Sequence, residues 1–481
     1  MLSAAPRSHR TIRTRSLAIL GAMVAVAIVS QVATRVTPTS SAVRPTIVDP
    51  QEPAIGDLDA GAISFGSSDG ASTGALEGSP RTDVARIRAD IDFWGRRVAL
   101  DPDDFISSNR LGTSQIDLAR STGDLSAYLA AESAFDTTLR RDPTNAAASG
   151  YRGSVLVSLH RFTEAAAQAQ VVLARRPDDP VALATLGDAE LELGNVDAAR
   201  TAYVHAHRVA PSAATLGRLG HLAFITGDTT AAVRDTRAAV AASVAEGAEG
   251  ERAAFYQYQL ADALISTGDR RGAAKAYAAA LAADPGSFLA RSGLARVAAA
   301  DGDLDAAIRQ LSDAISIVPQ PEFLARRGDL FTLRGRPGDA KLAAADLATV
   351  EAIAKLSGEA ANVYDRTLAL YLANHGLEPD RAVSLAESEL AIRKDVYGYD
   401  AMAWALLADG RAADADAAMR SAIAFGTVDA KVLYHAGMID LALGRADEGR
   451  AALQRSLDLD SSFDPLQAAR ARTALASLPP G

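Results

Sequence analysis

Apolar residues recur along this chain at helical rather than strand spacing. Ile87, Ile91, Trp94 and Val98 share one face ahead of Pro102, and Leu466, Ala469, Leu475 and Leu478 follow Asp464-Pro465 in the same way. Between these ends the pattern is built on small residues. An alanine lies twelve positions before each of Pro143, Pro177, Pro211, Pro285 and Pro319, at Ala131, Ala165, Ala199, Ala273 and Ala307. A glycine lies twelve before an alanine at Gly153 and Ala165, Gly187 and Ala199, Gly220 and Ala232, and Gly328 and Ala340. Pro143, Pro177 and Pro211 are evenly spaced, and Pro285 and Pro319 repeat the same interval. The chain therefore predicts a repeat array of paired helices, about ten units long.

Each mark has a physical reading. Glycine inside a helix costs about 1 kcal/mol against alanine, so its recurrence predicts a place where the partner helix comes too close for a side chain. The residue four after the alanine, such as Tyr277 or Leu311, falls on the alanine's face and fills the next gap. Proline cannot continue a helix, so Asp-Pro at 142–143 and 284–285 ends the second helix of a unit. Gly194-Asn195, Gly227-Asp228, Gly268-Asp269 and Gly302-Asp303 pair a helix-ending glycine with a helix-starting cap. The interval from Pro211 to Pro285 is longer than two units by between one and two helical turns, and the excess is expected in the Gly/Glu-rich stretch 245–252. The weakest unit is expected around Val363–Lys394.

Leu186-Gly187 with Ala199, Tyr203 and Pro211, and Ala131 with Phe135 and Pro143, resemble the tetratricopeptide repeat, a helix-turn-helix unit of this period. The segment from Asp400 through Trp404 to Ile439 resembles the last units of many bacterial proteins of that family. The resemblance implies an all-α solenoid, residues 81–478, whose first helices line a concave groove for a peptide or partner helix. Projected from the glycine and alanine marks, that face carries Asp188, Glu192, His221, Tyr258, Asp262, Arg296, Asp329, Arg366, Tyr434 and Met438. Trp404 lies in a stretch apolar all round and is expected in the core.

Two segments precede the array. Residues 1–36 hold Arg7, Arg10, Arg13 and Arg15 and then an uncharged run, 17–33, which as a helix is about 26 Å long at ~1.5 Å per residue. That predicts a signal anchor or a signal-peptide core, with the N-terminus cytoplasmic and the array outside. Residues 37–80 are rich in Ser, Gly, Pro and Asp and read as a disordered tether, with a reach of roughly 35–40 Å. The expected location is thus the cell membrane, single-pass, the alternative being secretion after cleavage.

Composition narrows the chemistry. The chain has no cysteine, which excludes disulfides, thiolate catalysis and Cys-ligated zinc. Its net charge of −10 disfavours nucleic acid. Arginine far outnumbers lysine, a GC-rich bacterial bias. No phosphate-binding loop, His-Glu-x2-His or Gly-x-Ser-x-Gly occurs. His205 and His207, two apart on a helix, point to different sides and cannot share a metal. The sequence therefore predicts neither catalytic residues nor cofactor nor metal, but a membrane-tethered extracytoplasmic scaffold with a protein or peptide partner. The alternative is an envelope enzyme or accessory subunit with a pocket in the irregular region 340–394.

Overall fold

The computed structural model describes residues 80–356 and 363–479, and among them every regular element is helical. The apolar run 17–33 and the tether expected before the array lie outside the described residues. Helix α1 (Pro80–Leu100) caps the start. It buries Ile87 and packs against α2 (Phe105–Thr122), which pairs with α3 (Leu125–Arg141). Next come the pairs α4 (Ala146–Ser158) and α5 (Phe162–Arg175), α6 (Pro180–Glu192) and α7 (Val196–Val209), and α8 (Ala213–Ile225) and α9 (Thr229–Ala245). The pairs α10 (Gly250–Ile265) and α11 (Arg270–Ala283), α12 (Phe288–Ala300) and α13 (Leu304–Ile317), and α14 (Pro321–Arg334) and α15 (Asp339–Leu356) continue the array. Then follow α16 (Asp365–His375) with α17 (Pro379–Ile392), α18 (Val396–Ala408) with α19 (Ala412–Ile423), and α20 (Ala430–Ala442) with α21 (Ala446–Leu459). The closing helix is α22 (Pro465–Ser477). Among the described residues, ten hairpins thus stand between two capping helices, as the periodicity predicts.

Local chemistry fixes the helix ends. Asp228, Asp269 and Asp303 accept a backbone N–H in the first turn of α9, α11 and α13, each worth about 1 kcal/mol against alanine. Asn195 does not cap; its amide donates to Glu190 at 2.7 Å instead. The alanines at 131, 165, 199, 273 and 307 are all 0% exposed. Small residues at these points let the helices of a hairpin touch.

The packing glycines refine the expectation. A Cβ on Gly112, Gly187 or Gly293 would lie under 3.0 Å from a ring carbon of Phe135, Tyr203 or Tyr277, the aromatic four residues after each alanine mark. The space a glycine leaves is thus filled by a ring, not by the partner backbone. At Gly220 the backbone does approach, with Ala232 O at 3.3 Å. The Gly328 and Ala340 pairing fails: Ala340 is exposed, and Ala343 is the residue opposite Gly328. The turn there runs through Pro337-Gly338, which shifts the register of α15 by three.

The surplus between Pro211 and Pro285 does not form a long loop. Helices α9 and α10 have 17 and 16 residues, against 14 and 13 in α7 and α8, and the connection between them is short. The excess became helix.

The array coils back onto itself. The Lys394 N–H donates to Glu192 O at 2.8 Å, joining α6 to the approach of α18. A Cβ on Gly194 would meet Lys394 O at 2.6 Å, one on Gly227 would strike Gly426 O, and one on Gly268 would sit 3.3 Å from Leu459 O. The three seams therefore pair 194 with 394, 227 with 426 and 268 with 459, at a nearly constant offset along the chain. One superhelical turn takes about six units of this period, and each turn rests on the one before. An apolar cluster joins Leu191, Tyr203, Leu222 and Ile225 of the first turn to Leu372, Leu406 and Ile439 of the next. Helix α22 completes the closure by packing on α14 as well as on α21.

Candidate binding chamber

Because successive turns touch, the concave face forms the wall of an interior chamber of about 310 Å³. Every second helix from α8 to α16 contributes its inward face. His221, Tyr258, Asp262, Arg296, Asp329 and Arg366, six of the ten residues projected for the groove, line it. The next turn covers it with Tyr397, Lys431, Phe463 and Gln467.

The other four residues are placed elsewhere. Asp188 is buried, gripped by Arg218 (Nε to Oδ1 2.8 Å, Nη2 to Oδ2 2.9 Å) and by the Tyr203 hydroxyl at 2.9 Å. Glu192 is buried in the seam, where Arg393 Nε donates to it at 2.5 Å. Tyr434 is fully buried between Trp404 and Phe463, and Met438 packs in the same cluster. Trp404 is in the core as expected. Its ring stacks on His435 at 4.0 Å, and His435 Nδ1 lies 2.7 Å from Asp400.

The chamber's charges are held in place. Asp262 accepts from the Tyr277 hydroxyl at 2.5 Å and from Arg296 Nη1 at 3.1 Å. Burial opposes the charge on Arg296, but Tyr277 and Asp262 hold it protonated well beyond the usual arginine range. Asp329 meets His375 Nε2 at 2.7 Å, and burial raises its carboxyl above the ordinary value. Burial also pulls the His221 imidazole down to about 4 and pushes the Tyr371 phenol up to about 12. The chamber thus presents fixed charges of both signs, neutral phenols and a neutral imidazole. Lys431 Nζ sits 5.9 Å from the Tyr397 ring centre, within cation–π range.

Amides complete the lining. Asn374 accepts from Trp404 Nε1 at 2.8 Å and from Gln467 Nε2 at 2.5 Å. The Oε1 atoms of Gln259 and Gln467 are buried without a protein hydrogen-bond partner. Gln259, Arg326, Tyr371 and Asn374 were absent from the projected face, although Leu370 and Asn374 continue the i, i+4, i+8 row from Arg366. Extending that row was the signal that could have found Asn374. Among the described residues no cluster of His, Asp and Glu could hold a metal ion, and His205 and His207 go to separate partners, Asp178 and Thr215.

Fold and chamber together define a helical-repeat solenoid with a covered interior. The model of the tetratricopeptide repeat family matches residues 116–180 and 258–320, so these two stretches carry tetratricopeptide repeats. Similar solved structures include a thermophilic repeat protein of Thermus thermophilus, 22% identical over 44% of this chain and 99% of that one, with a TM-score of 0.34. MamA is 21% identical over 34% of this chain and 92% of its own, TM-score 0.28. Yeast Tom70 is 14% identical over 82% and 93%, TM-score 0.34. No curated protein matches the chain.

Proposed function

We propose that this chain is a non-catalytic protein-interaction scaffold that takes a peptide segment of its partner into the chamber. Tetratricopeptide repeats generally mediate protein–protein contact, and the observation that carries the reading here is the convergence of five inward helix faces on one lined space. Its lining suits a polypeptide. Tyr258 and Phe463 offer rings, and Arg296 and Lys431 offer positive charge.

The arginine-flanked run 17–33 and the tether after it support an anchored protein with the array on the extracytoplasmic side. Among the described residues no helix is long and apolar enough to cross a membrane, so this part of the reading rests on the first segment alone. Protease added to intact spheroplasts cleaves an external array and spares an internal one.

A photoreactive residue at Thr367, on the chamber wall, tests the binding mode against one at exposed Arg200. Partner peptide attached at Thr367 and absent at Arg200 supports the chamber. The reverse pattern places the contact on the outer surface and rejects it. A second reading, an enzyme or accessory subunit, is favoured by one observation, the wall residue Asp329 paired with His375 behind it. Native mass spectrometry that finds a retained small molecule would turn the argument that way.

A further inference from the structure

The seam between superhelical turns holds a buried charge cluster that the binding reading does not use. Arg366 Nη2 lies 2.8 Å from Glu389 and 2.8 Å from Asp395. Arg393 donates to Glu192 at 2.5 Å and lies 3.7 Å from both Glu389 and Asp395. None of the five side chains is more than 8% exposed. Two guanidinium groups thus face three carboxylates, one negative charge too many for a dry site.

The histidines beside the cluster do not correct the imbalance, and Lys431 stands off from it over the Tyr397 ring that Arg366 also faces. Burial, followed by the Arg393 and Arg366 charges, pulls the His160 imidazole well below its usual range, and burial does the same to His221. Both rings stay neutral near pH 7. Tyr203, on α7, adds no positive charge. Asp365 on α16 faces Glu389, and burial raises its carboxyl to about 6. The cluster therefore needs a proton to be neutral when closed.

We propose that Glu192 and Arg393, with Glu389, Asp395 and Arg366 around them, form a proton-operated latch that closes this end of the seam when the cluster holds one extra proton and loosens it when that proton leaves. Geometry gives the latch something to move. Arg366 and Arg393 both line the chamber, and the Lys394 N–H bond to Glu192 O crosses the same seam, so loosening alters the chamber wall. Leu191 and Val396, beside Glu192 and Asp395, lie in one apolar cluster, so what loosens is the charged group and the Lys394 bond next to it.

The sign follows from Glu192. Burial pushes its carboxyl up to about 7, with Arg393 opposing and Asp395 assisting. Loosening returns it to water and to the ordinary range near 4.3. The closed form's advantage is complete below that ordinary value and is lost as pH rises through about 7. The ratio of loosened to closed form should rise roughly 10- to 100-fold between about pH 5 and 8.

The chain has no cysteine, so a pair introduced at exposed Asn195 and Ala391 carries spin labels cleanly on the full-length protein. The expected result is a short distance at pH 5 and a longer population that grows towards pH 8. Glu192→Gln, which cannot ionise, should keep the short distance throughout. Distances that do not change with pH in the parent chain overturn the latch whatever the variant does. An unchanged pH response in Glu192→Gln, with normal helix content by circular dichroism, overturns the assignment to Glu192. The partner's seat in the chamber is not assumed by either measurement.

Discussion

Two glycines that look alike in sequence should respond oppositely to the same substitution. Gly293→Ala and Gly328→Ala each add one methyl group to a first helix of a hairpin, and each gains about 1 kcal/mol of helix propensity. At Gly293 the new Cβ would lie under 3.0 Å from Tyr277 Cε1, Cζ and Cδ1. That ring is 0% exposed, and its hydroxyl is fixed to Asp262 at 2.5 Å, so it cannot slide away. Overpacking of this kind costs about 1–3 kcal/mol, and a pinned ring falls at the upper end, leaving a net loss of about 1–2 kcal/mol. At Gly328 the nearest atom is Ala343 O at 3.6 Å, an ordinary contact. Gly328→Ala should therefore be stabilising by up to about 1 kcal/mol. Urea titration followed by circular dichroism gives the midpoints. Because a repeat array need not unfold in one step, hydrogen exchange of the α11 and α12 amides localises the effect. Midpoints that move in the same direction for both variants would refute the packing argument.

Buried and exposed ion pairs should separate as clearly. Arg218→Ala leaves Asp188 buried with half its partners gone and should cost about 3–5 kcal/mol, whereas Arg411→Ala, which breaks an exposed pair with Asp414, should stay within about 1 kcal/mol in the same urea titrations. His221 supplies an acid-side prediction. Burial lowers its imidazole to about 4, so the unfolded chain binds a proton that the folded chain refuses, and stability present above about 6.5 is lost as pH falls towards 4. The loss is about 2–4 kcal/mol, and His221→Asn should flatten that limb of the pH profile.

The hairpins were legible because their determinants are local. Ala199 and Tyr203, or Gly268 and Asp269, do their work within one unit, and each leaves a mark at fixed spacing. The inward face was legible for the same reason, which is why Tyr258, Asp262 and Arg296 fall on the chamber wall. What the sequence did not disclose is the cover. Lys431, Phe463 and Gln467 reach the chamber only because small rotations between neighbouring units add up over a whole superhelical turn, and no single unit encodes the sum. Glu192 illustrates the cost of that blindness. Its position in α6 is inward, yet the next turn arrives there and buries it against Arg393. The slip at Ala340 has a simpler origin, since Pro337 and Gly338 lengthen one turn and break the count.

Solenoids usually tolerate gain or loss of a module, because each module answers only to its neighbours. Here the number of modules between Gly194 and Lys394 is locked. Duplicating or deleting one helix pair between Gly268 and Lys394, the stretch common to all three seams, would carry Lys394, Gly426 and Leu459 past their seats together. Relatives that keep the coil should vary in length at the ends, and folding should wait on partners as remote in the chain as Glu192 and Arg393, slower than helical repeats of local contact.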